Sequence, residues 1–171
     1  MKYKLTSETR TIRNKTLYRI EALKDFGDIK KGDLGGFVQS EKNLSQEGFC
    51  WICVNARVYG NARVYGNARV SGKARVSGKA RVYGSVRVSG RARVYGWAKT
   101  YGNAWIQGST KIYGKSNVSE QAWISGNSKV YGSAKIYGNA KVYENAKVYG
   151  SAKIYGFSYV RDSTCIFLKN E

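Results

Sequence analysis

The chain has 171 residues and a formal net charge of +19 at pH 7, from 30 lysines and arginines against 11 aspartates and glutamates, with three cysteines and no histidine. No stretch approaches the roughly 18 apolar residues of a membrane span, and no export signal is visible. An odd number of cysteines gives no disulfide framework. We therefore expect a soluble cytoplasmic protein without a membrane partner. Residues 1–49 carry ten basic and seven acidic side chains, residues 50–171 carry twenty and four, and a surface this basic favours polyanions such as nucleic acid.

Residues 1–49 differ in kind from the rest and are predicted to form an N-terminal cap. Alternating polar and apolar residues at 3–5 and 17–20, separated by the turn-like pair Asn14-Lys15, predict a β-hairpin. The glycine-rich stretch 25–36 predicts loops. Because the first coil of a repeat protein needs a cover, we expect this segment to close one end.

From Ala56 to Ile166 the chain follows a six-residue repeat without insertion or deletion, first written Ala56-Arg57-Val58-Tyr59-Gly60-Asn61. Over nineteen repeats the first slot is always small, and the third is Val or Ile except at Thr100. The slot between them is Arg or Lys in fourteen repeats and is never acidic. Since side chains alternate along a strand, the first and third slots face inward and the basic slot faces outward. Cys50 and Cys53, although spaced as C-x-x-C, occupy ordinary repeat positions in this register.

Three hexads that close a triangle give a coil of 18 residues. The sequence therefore predicts an all-β, single-stranded parallel β-helix of about six triangular coils over residues 50–156, with the coils stacked at the ~4.8 Å spacing of paired strands. Residues 157–171 keep the period but replace the corner glycine by Asp162 and add Phe167 and Leu168. We expect them to form a C-terminal coil and cap.

With 18 residues per coil, the outward slots sort onto three faces. Face one is an unbroken row of six cations: Arg57, Arg75, Arg93, Lys111, Lys129 and Lys147. Face two is basic with one interruption: Arg63, Arg81, Lys99, Asn117, Lys135 and Lys153. Face three mixes aromatic and basic residues: Trp51, Arg69, Arg87, Trp105, Trp123, Lys141 and Tyr159. Tyrosines that include Tyr59, Tyr95 and Tyr113 flank face one.

An aliphatic residue followed four positions later by a small one, as in Val58 with Ala62, resembles the motif of the hexapeptide-repeat left-handed β-helix. The segments FGDIKKG at 26–32, GGFV at 35–38, NLSQEG at 43–48 and CWI at 50–52 resemble the N-terminal part of YdcK-like proteins. Those are bacterial and phage-borne β-helical proteins that are often labelled transferases. The resemblance implies a left-handed β-helix, and it implies a fold more than an activity.

Enzymes with this fold are mostly acyltransferases with a catalytic histidine, or carbonic anhydrases with three histidine ligands on zinc. The chain lacks the imidazole that either chemistry uses. The acidic residues of the repeats, Glu120, Glu144, Asp162 and Glu171, are too few to suggest a paired acid/base site. We therefore expect no catalytic residue, no metal site and no cofactor, with a hexapeptide acyltransferase as the less favoured alternative.

We predict a non-enzymatic binding protein that docks on nucleic acid or a nucleoprotein complex. Surface cations also keep repeat proteins soluble, but solubility alone would accept glutamate as readily as lysine. The predicted polyanion-binding residues are the six cations of face one together with Arg63, Arg81, Lys99, Lys135, Lys153, Arg69 and Arg87. We expect contacts with phosphates and little sequence specificity.

Exposed aromatic residues add a second prediction. Trp105, Trp123, Tyr59, Tyr95 and Tyr113 are candidates for stacking on unpaired bases or for anchoring a protein interface. The alternative function is therefore a structural, self-assembling or protein-interaction scaffold, and the oligomeric state stays open. The phage association of the resembling proteins implies a more specific role, an anti-CRISPR-like inhibitor of a defence nucleoprotein in the cytoplasm of a bacterial host.

Overall fold

The N-terminal segment forms a hairpin, one further strand and a short turn of 3-10 helix in the computed structural model, which describes residues 1–168. The strands are β1 (Tyr3–Ile12), β2 (Lys15–Ala22) and β3 (Leu34–Val38), and the 3-10 turn is Glu41–Asn43. Strands β1 and β2 pair antiparallel around Arg13 and Asn14, which both have positive φ. The predicted hairpin is therefore confirmed.

Each repeat contributes one short strand, made of the outward residue and the aliphatic residue that follows it. These strands are β4 (Trp51–Ile52), β5 (Arg57–Val58), β6 (Arg63–Val64), β7 (Arg69–Val70), β8 (Arg75–Val76), β9 (Arg81–Val82), β10 (Arg87–Val88), β11 (Arg93–Val94), β12 (Lys99–Thr100), β13 (Trp105–Ile106), β14 (Lys111–Ile112), β15 (Asn117–Val118), β16 (Trp123–Ile124), β17 (Lys129–Val130), β18 (Lys135–Ile136), β19 (Lys141–Val142), β20 (Lys147–Gly150), β21 (Lys153–Ile154), β22 (Tyr159–Val160) and β23 (Cys165–Leu168).

Every third strand pairs in parallel, which produces three sheets. Face one lies on a ten-stranded sheet, β1-β2-β3-β5-β8-β11-β14-β17-β20-β23. Face two lies on the six-stranded sheet from β6 to β21, and face three on the seven-stranded sheet from β4 to β22. The predicted fold class, an all-β β-helix with an N-terminal hairpin, is confirmed.

The helix starts earlier than the sequence repeats indicate. Strand β3 pairs in parallel with β5, Leu44 bridges to Val64, and β4 pairs with β7. A first coil therefore arises largely from residues that were assigned to the N-terminal cap, and the helix has about seven coils instead of about six. The period is hidden there because Phe37 pairs with Arg57, twenty positions later rather than eighteen.

The cap covers the first coil and buries a residue that was assigned to the outside of face three. Trp51 is only 2% exposed. Its ring meets Tyr3 and Phe26 edge-on, with centroid distances of 6.4 and 5.4 Å. Edge-to-face packing of this kind stabilises aromatic clusters beyond the apolar area they bury. Trp51 thus belongs to the core of the cap.

Lys2 and Cys50 form a buried polar pair beneath the hairpin. The Lys2 ammonium donates to the carbonyl oxygen of Cys50 at 3.0 Å and lies 3.2 Å from its Sγ. Burial lowers the pKa of Lys2 and raises the pKa of the Cys50 thiol. Burial also raises the pKa of the half-buried Cys53 thiol. These cysteines are unbridged and occupy repeat positions, as the sequence register indicated.

The interior consists of stacked small and aliphatic side chains, and burying each Val or Ile contributes about 1.5–3 kcal/mol. A few of these inward positions carry Ser or Thr, whose hydroxyl groups need hydrogen-bond partners when buried. Those of Ser116 and Ser128 donate to a backbone carbonyl three residues earlier, at 2.8 Å. Within residues 1–168, Oγ1 of Thr100 and Oγ1 of Thr110 are buried without a hydrogen-bond partner. These two threonines are local weaknesses of the core.

The corners require a left-handed backbone. Gly126, for example, has φ +68°, and a Cβ added there would lie 2.6 Å from the backbone of the next coil. Glu120 and Glu144 adopt the same conformation, each with φ 57°. Their carboxylates accept a 2.8 Å hydrogen bond from the corner amides of Gly138 and Asp162 in the next coil. These acidic residues have a structural use at the corners.

The C-terminal end of the helix is open in the part of the chain that the structure describes. Phe157 is 77% exposed, and Phe167 and Leu168 are also exposed. The small-slot residues Ser158 and Thr164, which we expected to face inward, are exposed as well because no further coil covers them. Residues 157–168 therefore continue the coil that we expected here, whereas residues 169–171, which belong to the expected cap, lie outside the described residues.

Candidate polyanion-binding surface

Parallel pairing places the six cations of face one in a single row. The register joins Arg57 to Arg75, Arg75 to Arg93 and so on, step by step, to Lys147. At ~4.8 Å per strand the row is about 24 Å long. Each of these side chains is exposed or half-buried. The structure therefore brings together all the residues that the sequence assigned to face one.

Carboxylates do not neutralise this row. Four of the ion pairs within residues 1–168 lie away from the cations of the three faces: Lys4–Glu21, Arg19–Glu8, Lys30–Asp25 and Arg161–Asp162. Another joins Arg69 of face three to Asp28 of the cap loop. No cation of face one or face two has a carboxylate partner among the described residues, so these cations are available to an external anion.

Arg57, at the N-terminal end of the row, is the most constrained of these cations. Its Nε is buried and has no hydrogen-bond partner among the described residues. Burial, then the nearby charges of Arg75 and Arg10, lower its pKa. An oxygen anion bound to the accessible part of this half-buried guanidinium would offset the repulsion between the neighbouring guanidinium groups.

Face two contains two shorter basic segments. Arg63, Arg81 and Lys99 are consecutive in the register, Asn117 interrupts the row, and Lys135 then pairs with Lys153. All five cations are exposed. Face two therefore repeats the chemistry of face one over a shorter distance.

On face three, aromatic rings lie next to the protein's own cations. Trp105 and Trp123 are 46% and 37% exposed and meet edge-on, with ring centroids 6.4 Å apart. Cζ of Arg87 lies 5.2 Å from the ring centroid of Trp105, and Nζ of Lys141 lies 5.3 Å from the ring centroid of Trp123. Cation–π contacts of this kind use the ring faces that a base would stack on. A base that stacks here must displace a side chain.

The tyrosines beside face one stack on each other. Tyr95 and Tyr113 are 4.9 Å apart with an interplanar angle of 5°, and Tyr131 follows at 5.0 Å. Burial raises the pKa of Tyr95 and of Tyr113. Tyr113 has a ring on both sides and offers an external base only its edge, which corrects the expectation that its face binds a base. Tyr59 lies beyond Ser77 and has no stacked neighbour among the described residues.

Sequence reasoning missed a set of cations at the corners. The slot after the corner glycine is basic at four positions, and all four side chains are exposed: Lys73, Lys79, Arg91 and Lys115. Trp97 occupies the same slot and is 57% exposed, with Nζ of Lys79 4.0 Å from its ring centroid. A cleft of about 380 Å³ lies here, lined by Asn61, Arg63, Lys79, Arg81, Trp97 and Lys99. Examining the sixth slot separately would have revealed these residues.

The outward positions of the three faces carry mainly cations and aromatic rings. Residues 1–168 contain no group of three His, Cys, Asp or Glu residues that could hold a metal ion. Thiols with a raised pKa, as in buried Cys50 and half-buried Cys53, are poor nucleophiles. No helix in this part of the chain has the length and hydropathy of a membrane span. The arrangement is suited to binding an extended anion.

Comparisons with known proteins agree with the repeat structure. Residues 56–72, 62–78 and 74–90 match the model of the YdcK beta solenoid repeat. The chain is 41% identical over 59 residues to the "Uncharacterized acetyltransferase YdcK" of Escherichia coli (strain K12). That match covers 30% of this chain, and the chain spans only 18% of the relative's length. In its repeats, the chain is therefore similar to YdcK-like β-solenoid proteins.

Proposed function

We propose that the protein binds nucleic acid, alone or within a nucleoprotein complex, through phosphate contacts along face one. The observation that carries the proposal is the unbroken row of six cations without a carboxylate partner among the described residues. Guanidinium and ammonium groups form strong charge-assisted hydrogen bonds with phosphate oxygens. Binding a phosphate chain also releases its condensed counterions, which favours association at low salt.

The geometry favours backbone contacts over base recognition. The ~4.8 Å step of the row differs from the ~3.4 Å rise of a B-DNA strand, so no regular pairing of cations with bases follows. Little sequence specificity is expected when cations contact phosphates. Exposed Trp97, Trp105 and Trp123 favour single strands, whose unpaired bases can stack on these rings when they displace the cations that lie over them.

The two ends of face one differ in their cations. Arg57, Arg75 and Arg93 present planar guanidinium groups that bind phosphate through two hydrogen bonds, whereas the second half of the row is lysine. We therefore assign the tighter contacts to the arginine half. An inhibitor of a host-defence nucleoprotein, as expected from the resemblance, is one biological form of this function and depends on the same contacts.

Fluorescence anisotropy with labelled single-stranded RNA, single-stranded DNA and duplex DNA tests the proposal. The variant carries glutamate at Arg57, Arg75 and Arg93. The matched control carries glutamate at Arg13, Lys24 and Lys31, exposed residues of the cap that lie outside the three faces. Both variants have the same net charge, so a difference between them reports on face one alone.

We expect tight binding of the unaltered protein, large loss in the face-one variant and a small loss in the control. Equal losses in both variants would refute a role for face one. Acyl transfer, suggested by the name of the E. coli relative, would gain support if acetyl-CoA bound and nucleic acid did not. Salt-dependent self-association in sizing experiments, without nucleic-acid binding, would favour the scaffold alternative.

A further inference from the structure

We propose that the first coil of face two contains a binding site for a single nucleotide, at the point where a stack of tyrosines ends. Tyr65, Tyr83 and Tyr101 stack with centroid distances of 4.8 and 5.2 Å and interplanar angles of 2° and 6°. One coil nearer the N-terminus, Ser45 occupies the position of the next ring. The stack stops at Tyr65 because serine supplies no ring there.

The backbone register supports the assignment of Ser45 to the tyrosine slot. Leu44 bridges to Val64, and the amide of Ser45 donates to the carbonyl oxygen of Val64 at 2.9 Å. Tyr65 makes the same hydrogen bond to the coil above, with its amide 3.1 Å from the carbonyl oxygen of Val82. Ser45 is thus equivalent to Tyr65, one coil earlier.

A cavity of about 640 Å³ lies beside the end of this stack. The residues that line it include aromatic, aliphatic, charged and polar side chains: Leu44, Val64, Tyr65, Arg63, Arg81, Glu41, Lys42, Ser45 and Gln46. A volume of this size is typical of sites that bind small molecules. This volume is sufficient for a planar base together with its sugar and phosphate.

Each part of a nucleotide has a counterpart in the cavity. A base that stacks on Tyr65 continues the tyrosine stack, which any base can do because all bases have a π-face. Its phosphate meets Arg63 and Arg81, which are neighbours in the register, exposed and free of a carboxylate partner among the described residues. Glu41 also lines the cavity, and its carboxylate repels phosphate, which favours the orientation of the phosphate towards the arginines.

A ligand that uses both Tyr65 and the two arginines must contain an aromatic ring and an anionic group, which indicates a nucleotide. Inorganic phosphate would find similar cations on face one, and an uncharged aromatic compound would not use the arginines. The inference rests on the proposed function, because both require that exposed arginines bind phosphate. The ligand differs: here it is one nucleotide, either free or at the end of a strand, instead of an extended chain.

Two variants test the two halves of the site. Ser45→Tyr introduces the ring that most repeats carry in this slot, extends the stack and fills the cavity. Its control is Ser89→Tyr, the same change in the tyrosine slot beside face three. Arg81→Gln removes a phosphate contact, and its control is Arg13→Gln, an exposed arginine of the cap that lies outside the three faces.

Isothermal titration calorimetry with adenosine monophosphate, adenosine and inorganic phosphate gives the measurement. We expect the monophosphate to bind at least about tenfold more tightly than either part alone, since both the stack and the phosphate contact contribute. Ser45→Tyr and Arg81→Gln should each weaken binding about tenfold or more, and the controls should bind normally. Equal binding of inorganic phosphate, or normal binding by folded Ser45→Tyr, would overturn the assignment.

Parallel titrations separate this site from the face-one proposal. Binding of single-stranded RNA without binding of the monophosphate would overturn the cavity site and leave the proposed function standing. Binding of the monophosphate alone would support the cavity and count against the proposed function. If the monophosphate binds, competition by a 5′-phosphorylated oligonucleotide, but not by its 5′-hydroxyl form, identifies a strand end as the source of the nucleotide.

Discussion

Replacing Arg57, Arg75 and Arg93 together by glutamine removes half of the cations of face one without adding negative charge. The row contains six cations in register and spans about 24 Å. If a single strand places one phosphate at each cation, the unaltered protein neutralises six phosphates and the variant three. The salt dependence of binding measures this difference directly.

For single strands the logarithm of the binding constant falls by about 0.7 per neutralised phosphate for each tenfold increase in salt. Six contacts give a slope of about −4, which corresponds to a roughly 300-fold loss of affinity between about 50 and 200 mM salt. Three contacts give a slope of about −2 and a loss of only about 20-fold. The assay is anisotropy of a labelled oligonucleotide at four or more salt concentrations.

A slope that is the same in both proteins would refute this reasoning, because the three arginines would then contact no phosphate. Arg13, Lys24 and Lys31→Gln serve as the control, since they remove the same charge from the cap. Long-range attraction alone would change the slope equally in the control. Only direct contact predicts a loss confined to the face-one variant.

Three further predictions concern the fold. Thr100→Val should raise the thermal midpoint by an amount equivalent to about 1–3 kcal/mol, because it removes a buried hydroxyl without a partner among the described residues; a lower midpoint in calorimetry would contradict this. Gly126→Ala should lower the urea midpoint more than Gly156→Ala, since both have a left-handed φ but only Gly126 faces the backbone of a further coil. Tyr95 and Tyr113, whose pKa is raised by burial, should ionise above about pH 10 in absorbance titrations. Because the unfolded chain loses these protons first, stability should be unaffected below about pH 10 and fall as pH rises above it; simultaneous ionisation of all tyrosines at the ordinary pH would contradict it.

The sequence predicted the fold wherever its period was unbroken. An 18-residue coil places Arg57 under Arg75 by counting alone, and the structure has that pair in register. The count failed in the first coil, where Phe37 and Arg57 are separated by twenty positions. Counting residues also failed for Trp51, which occupies an outward position of the repeat but is buried by the cap. Contacts between segments far apart in sequence decide such cases.

The candidate site was predicted in its composition but not in its contacts. A repeat pattern shows that Arg69 faces outward, yet it does not show that Asp28 of the cap loop reaches it. The mutual stacking of Tyr95 and Tyr113 depends on side-chain rotation, which the sequence does not specify. The corner cations such as Lys79 were missed because most residues in the slot that holds them are Asn or Ser.

The uniform hexad makes the interior and the surface respond differently to changes in chain length. Deleting six residues from the middle leaves every small and aliphatic residue facing inward, because all hexads are alike on the inside. The same deletion rotates the rest of the helix by one face, so that Lys111 would no longer stack above Arg93. Deleting eighteen residues restores the alignment and shortens each face by one step. Insertions or deletions of whole coils therefore change only the length of the basic row. Insertions or deletions of single hexads keep the fold but remove the alignment of cations between neighbouring coils.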